Sequence, residues 1–296
     1  DDTGSDTKNA TKAIGGVRVV DGVLQIIGTC GDDHITIQKI CAGKKAQLKV
    51  HASFIPSHGH KCQCHCYKPG RGYKTFDAAD ITSIVVLALD GNDKVTIAGN
   101  VRITSLIDGG AGNDKLKGGS GADVILGAEG NDTIIGGGGR DLLIGGDGCD
   151  RIIGDSGDDI LIGGTTSFDI DDSNLDQAQI TLGQSFDGAL RAILAEWNSQ
   201  RSFCKRVKNL KNGSGSDDRL NGPFFLQRGI TVFDDSDRDC MTGSRGKDWL
   251  ISFDGDKLTD NKNKDNGNCQ HQYQCSIWKL LTRLYWNKFD CCEKYR

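Results

Sequence analysis

Six aspartates recur every nine residues in the middle of the chain: Asp114, Asp123, Asp132, Asp141, Asp150 and Asp159. A carboxylate repeated at fixed spacing is a row of hard oxygen donors, the ligand type that calcium takes. Each aspartate is sixth in a nonapeptide. The copies read GGAGNDKLK from Gly109, GGSGADVIL from Gly118, GAEGNDTII from Gly127, GGGGRDLLI from Gly136, GGDGCDRII from Gly145 and GDSGDDILI from Gly154. Glycine holds the first and fourth positions throughout. Leucine or isoleucine holds the eighth: Leu116, Ile125, Ile134, Leu143, Ile152 and Leu161. Glycine permits a tight turn with positive φ and close backbone approach. Stacked turns therefore bring carbonyl oxygens and aspartates together.

Positioning such donors requires a stack of short strands. The three residues after each aspartate form one strand, and its middle residue points inward because strand side chains alternate faces. Repeats of this kind read as a β-solenoid. Weaker copies flank the six. Asp33 and Ile35 sit in a copy from Gly28, and Asp93 and Val95 in one from Ala88; Asp218 and Leu220 follow Gly213, and Asp248 and Leu250 follow Gly243. Being isolated, these read as β-turns and not as cation sites, with Asp93 the best of them because its strand leads into the array. Residues 81–107 read as the start of the same solenoid, and residues 17–37 as two strands around a turn at Gly28–Asp33. After Gly164 the period changes. Leu190, Ile193, Leu194 and Trp197 recur at helical spacing, as do Ile277, Leu280, Leu281 and Leu284. The helices are expected to cap the open end of the solenoid, as repeat arrays need capping ends.

The six nonapeptides closely resemble the hemolysin-type, or repeats-in-toxin, calcium-binding family. The resemblance implies a mainly β fold: a right-handed parallel β-roll with two repeats per coil and calcium in the turns. Carried over, it makes the six aspartates calcium ligands, with Asp93 added on its position next to the roll. Candidate carbonyl donors are Gly110, Ala111, Gly112, Gly119, Gly121, Gly130, Gly137, Gly139, Gly146, Gly148 and Gly157. A looser resemblance, over AILAEWNSQRSF and TVFDDSDRDCMTGSRGKDWLISF, is to the C-terminal region of large bacterial surface proteins that carry these repeats. It implies a location more than an activity. The organisation expected is an N-terminal β region over 1–78 with a Cys/His-rich insert, a calcium-binding β-roll over 79–165, and a mixed α/β C-terminal cap over 166–296 with a cysteine-rich tail.

The insert is HGHKCQCHC, bringing His58, His60, Cys62, Cys64, His65 and Cys66 together. Disulfides are the favoured reading, and a zinc or copper site stays open, since thiolate and imidazole suit both metals. The spacing lacks the two-residue gap of structural zinc sites. The chain has 12 cysteines in all. Free calcium is about millimolar outside cells and suits weak extracellular modules, so the repeats favour a secreted, disulfide-bearing protein.

A net charge of -4 argues against a nucleic-acid partner. No apolar run approaches the roughly 18 residues of a membrane span. The chain lacks H-E-x-x-H, G-x-S-x-G and a phosphate loop. The GDSG at Gly154–Gly157 follows from repeat register. Asp235, Asp237 and Asp239 alternate like an EF-hand opening, but Cys240 stands where that loop needs glycine. The expectation is a non-enzymatic extracellular calcium-binding structural protein, associated with a surface or matrix. Its alternatives are a self-assembling subunit of an extracellular filament or surface layer, and a non-catalytic accessory module of a secreted hydrolase or toxin.

Overall fold

The computed structural model describes residues 16–43, 45–55, 72–169, 188–212 and 215–259. The strands are β1 (Gly16–Val20), β2 (Val23–Ile27), β3 (His34–Ala42), β4 (Lys45–Ala52), β5 (Tyr73–Asp77), β6 (Ser83–Leu87), β7 (Lys94–Ile97), β8 (Ser105–Ala111), β9 (Lys115–Lys117) and β10 (Val124–Glu129). They continue as β11 (Thr133–Gly138), β12 (Leu142–Asp147), β13 (Arg151–Ser156), β14 (Ile160–Ile162), β15 (Thr165–Thr166), β16 (Val232–Phe233), β17 (Cys240–Thr242), β18 (Trp249–Ile251) and β19 (Lys257–Leu258). Two helices, α1 (Gly188–Trp197) and α2 (Phe203–Asn212), lie between β15 and β16. No helix among the described residues is long and apolar enough to cross a membrane.

Successive repeats alternate between two sheets. One sheet runs β1-β2-β6-β8-β10-β12-β14-β18 and the other β19-β17-β13-β11-β9-β7-β3-β4-β5. Pairing within the repeats is parallel and in register, so Leu116, Ile134 and Ile152 align across one sheet. Ile125, Leu143 and Leu161 align across the other. All six eighth-position side chains are at most 1% exposed and join one core. That core is the reason the eighth position must be apolar.

The roll extends further than the six repeats in both directions. Residues 17–37 form three strands and not two: β1 and β2 are an antiparallel hairpin, and Gly28–Asp33 is the corner where the chain crosses from β2 to β3 in the opposite sheet. β6 and β7 lie in the two sheets, as expected for 81–107. At the other end β17 pairs with β13, β18 with β14 and β19 with β17. Both sheets therefore run across the boundaries expected at 78/79 and 165/166.

The helices do not close an end of the roll. Leu190, Ile193, Leu194 and Trp197 of α1 and Leu210 of α2 pack on Leu106, Val124, Leu142, Ile144, Ile160 and Ile162. These are the residues flanking the inward-facing ones, so the helices cover the outer face of the first sheet. The array makes this possible by placing apolar residues on both sides of each eighth position in β10, β12 and β14. The Cys/His insert at 58–66 and the helix expected at 276–286 lie outside the described residues.

Candidate metal centre

Each aspartate of the array ties one coil to the next through Oδ1. In the first row, the backbone N–H of Asp93 donates to Asp114, that of Asp114 to Asp132, and that of Asp132 to Asp150, each at 2.7 Å. The row begins with Asp33 donating to Asp93 at 2.5 Å. It ends with Asp150 donating to Asp239 at 2.8 Å and Asp239 to Asp256 at 3.1 Å. In the second row, Asp123 donates to Asp141 at 2.8 Å, Asp141 to Asp159 at 2.9 Å and Asp159 to Asp248 at 2.9 Å.

The second carboxylate oxygen has a different fate in the middle of a row and at its ends. Oδ2 of Asp93, Asp114, Asp132, Asp141, Asp150, Asp159 and Asp239 is buried with no hydrogen-bond partner. Towards the ends, protein donors take that role. Thr29 serves Asp33, Gly119 serves Asp123 at 2.9 Å, and Phe253 serves Asp256 at 2.6 Å. Asp123 also accepts from the Ser105 backbone and hydroxyl. Of the seven aspartates expected to ligate, Asp123 is therefore the one whose oxygens the protein already satisfies.

Unpaired buried carboxylates are costly, and the titration of these groups reflects it. Burial first, and neighbouring carboxylates second, push Asp93 up to about 8, Asp132 to about 7, Asp141 to about 9, Asp150 to about 10, Asp159 to about 8 and Asp239 to about 8. Asp114 rises to about 6, chiefly by burial. A cation beside each orphaned oxygen would remove both penalties.

The turns supply further oxygens. The carbonyls of Gly112, Gly121, Gly130, Gly139, Gly148 and Gly157, all fourth-position residues, accept none of the turn hydrogen bonds. Those of Ala111 and Gly119 each accept one from a stacked turn, and Gly137 accepts from the Ser156 hydroxyl. Gly110 and Gly146 lie within strands β8 and β12. The fourth-position carbonyls are thus the best placed of the expected donors. Gly130 shows why the position must be glycine. Its φ is +122°, and a Cβ there would stand 1.9 Å from the Gly112 oxygen. Among the described residues no three His, Cys, Asp or Glu side chains converge as a metal cluster. A cation here would be held by one carboxylate per repeat together with backbone oxygens. An all-oxygen set of this kind fits calcium and not a soft metal.

Residues 106–134 and 135–165 match the family model described as the RTX calcium-binding nonapeptide repeat. This segment is an RTX repeat array. The match covers about a fifth of the chain. No curated protein and no solved structure matches the chain.

The RTX rows run beyond the matched segment. Asp93, expected to ligate, is stacked into a row, and so are two of the three flanking copies expected to be simple turns, through Asp33 and Asp248. The third is not: Asp218 pairs with Arg201 at 3.0 Å, and Leu220 is exposed. One RTX repeat is split. In intact repeats a Cβ on the first glycine would meet Oδ2 of the repeat's own aspartate, 2.5 Å away for Gly154 and Asp159. Gly163 stands in the same relation to Asp239, at 2.4 Å. The chain leaves the roll after Gly163, forms the helices, and returns through the antiparallel pair Thr165–Phe233 and Thr166–Val232. The first glycine, the aspartate and an apolar eighth residue, Met241, are therefore brought together in space from distant stretches, while Asp237 stands at the fourth position.

Two other features were not visible in the repeat pattern. Fifth-position amides form a ladder: Asn92 donates to Asp32, Asn113 to Asn92, Asn131 to Asn113 and Cys149 to Asn131, at 2.8–2.9 Å between backbone nitrogen and side-chain oxygen. Asparagine in alternate repeats was the available signal. On the opposite row, fifth-position Asp158 anchors the helices. Its carboxylate binds Arg206 at 2.5 Å, and its carbonyl accepts from the Trp197 indole at 2.6 Å. Arg206 is 2% exposed, stacks over Trp197 and donates to the Trp197 carbonyl at 2.8 Å.

Proposed function

We propose that this chain is an extracellular, non-catalytic structural protein in which calcium completes and stiffens a right-handed RTX roll, associated with a surface or matrix. The observation that carries this reading is that Oδ2 of seven aspartates in the two rows is buried without a protein donor. Calcium would be held by Asp93, Asp114, Asp132, Asp141, Asp150, Asp159 and Asp239 with fourth-position carbonyls, and it would supply charge neutralisation between coils. At tenfold excess over its dissociation constant each ion adds about 1.4 kcal/mol. Several ions then contribute on the scale of a domain's whole stability. Two points support the extracellular location: weak calcium sites suit millimolar calcium outside cells, and Cys204 and Cys240 are disulfide-bonded.

Equilibrium dialysis that counts bound calcium per chain is the direct test, paired with circular dichroism and protease resistance in chelator. At least three ions and a loosened roll in chelator are expected. Fewer than three ions, or no change on chelation, refutes the proposal.

A further inference from the structure

The two sheets have opposite fates on their outer faces. The helices cover one. The other, nine strands wide, carries exposed side chains over β7, β9 and β13, while the outward Cys240 of β17 is buried and disulfide-bonded. Its inward positions are Ile35, Val95, Leu116, Ile134, Ile152 and Met241, so the residues flanking them point outward. The outward set is basic. Lys94, Lys115, Lys117, Arg151 and Lys257 are exposed on it, and Lys49 lies farther along. The acids at outward positions are Asp77, on the edge strand β5 and paired with Lys45, and Asp155, at the turn end of β13. A chain of net charge -4 thus presents one face on which cations outnumber acids.

The cations are also in register. Lys94 aligns with Lys115, Lys115 with Thr133, Thr133 with Arg151, Arg151 with Cys240 and Cys240 with Lys257. Neighbouring strands stand about 4.8 Å apart. Four cations therefore lie on one line of roughly 24 Å across the strands, with Thr133 between Lys115 and Arg151 and the buried Cys240 between Arg151 and Lys257. Thr36, Thr96 and Thr133 interleave with them and offer hydroxyls.

We propose that this face docks a linear acidic polysaccharide lying along the roll axis. The chemistry is a stiff chain with a regularly repeated carboxylate or sulfate, matched by regularly repeated ammonium and guanidinium groups. A single-stranded nucleic acid fits less well, because it needs aromatic platforms for its bases. The one aromatic at an outward position, Tyr73, lies at the far edge against His51 and under the Lys49 ammonium. A second copy applied face to face would oppose like charges.

The test is calorimetry of the full chain in calcium with chondroitin sulfate, hyaluronan, neutral dextran and poly(dT) as probes. Chondroitin sulfate and hyaluronan separate sulfate from carboxylate as the preferred anion, and binding of either one supports the proposal. Binding should weaken with salt, since exposed ion pairs are screened. The variant Lys94→Gln/Lys115→Gln should bind about tenfold more weakly. The charge-matched control Lys205→Gln/Lys208→Gln, exposed on α2, should bind as the parent does. Absence of binding to both acidic polysaccharides, equal loss in the two variants, equal binding of dextran, or tighter binding of poly(dT) would each overturn the proposal.

Discussion

Replacing Asp150 by asparagine should have opposite effects with and without calcium. Asp150 is fully buried in the middle of the first row. Burial, and then the charges of Asp132, Asp239 and Asp235, hold its carboxyl at about 10 against an ordinary 3.8. Without metal at pH 7 the folded chain must keep a proton there that the unfolded chain has released. That costs roughly 4 kcal/mol at 1.36 kcal/mol per pH unit. Asparagine keeps the acceptor for the Asp132 N–H, which sits at 2.7 Å, and carries no charge. Its amide nitrogen replaces the orphaned oxygen and costs about 1–3 kcal/mol if unpaired. In chelator Asp150→Asn should therefore stabilise the chain by about 1–3 kcal/mol. In calcium at thousandfold excess over the dissociation constant it should also lose one site worth about 4.1 kcal/mol, a net destabilisation of about 1–3 kcal/mol. Thermal unfolding followed by circular dichroism in both buffers reads the two signs, at about 2–4 °C per kcal/mol for a chain of this size. A shift of the same sign in both buffers would refute the view that these aspartates await a cation.

The same linkage makes the pH response of the metal-free chain unusual. Carboxyls raised in the folded state favour folding in acid, so in chelator the melting temperature should fall as pH rises from about 4 towards 8. In calcium, acid should instead lower it by displacing the metal; parallel trends would count against the sites. Asp239→Asn should reduce the calcium count in dialysis although it lies outside the matched segment, and an unchanged count would exclude the split repeat from the metal row. Gly130→Ala should cost about 3 kcal/mol or more in either buffer, because a side chain there strains φ and strikes a carbonyl. A neutral result in urea unfolding would contradict the packing of the turns. Asp158→Asn leaves Arg206 buried without its counter-charge, which costs about 3–5 kcal/mol. Red-shifted tryptophan fluorescence from the loosened helices is the expected signature, and an unshifted spectrum would argue against the anchor.

The six central aspartates, their strands and their apolar eighth residues were legible because the information is local. A nine-residue period states turn, ligand and core position within each copy, and identical copies can only stack in register. The flanking copies at Asp33, Asp93 and Asp248 carry the same local marks. Whether they stack depends on what lies beside them, and the intervening hairpin and helices hide that in the sequence. The split between Gly163 and Asp239 is the extreme case, since one repeat is assembled from two distant pieces that β15 and β16 bring together.

What the sequence determined by itself was a periodic array of oxygen donors on a β framework. What only the tertiary structure decided was which oxygens remain unsatisfied and where the helices lie. Asp123 and Asp150 occupy the same repeat position, yet Gly119 satisfies Oδ2 of the first and no group satisfies Oδ2 of the second. The helices lie on a sheet face and not on an end because β10, β12 and β14 present apolar residues outward as well as inward. Satisfaction and burial are properties of neighbours in space, and no spacing along a chain encodes them alone.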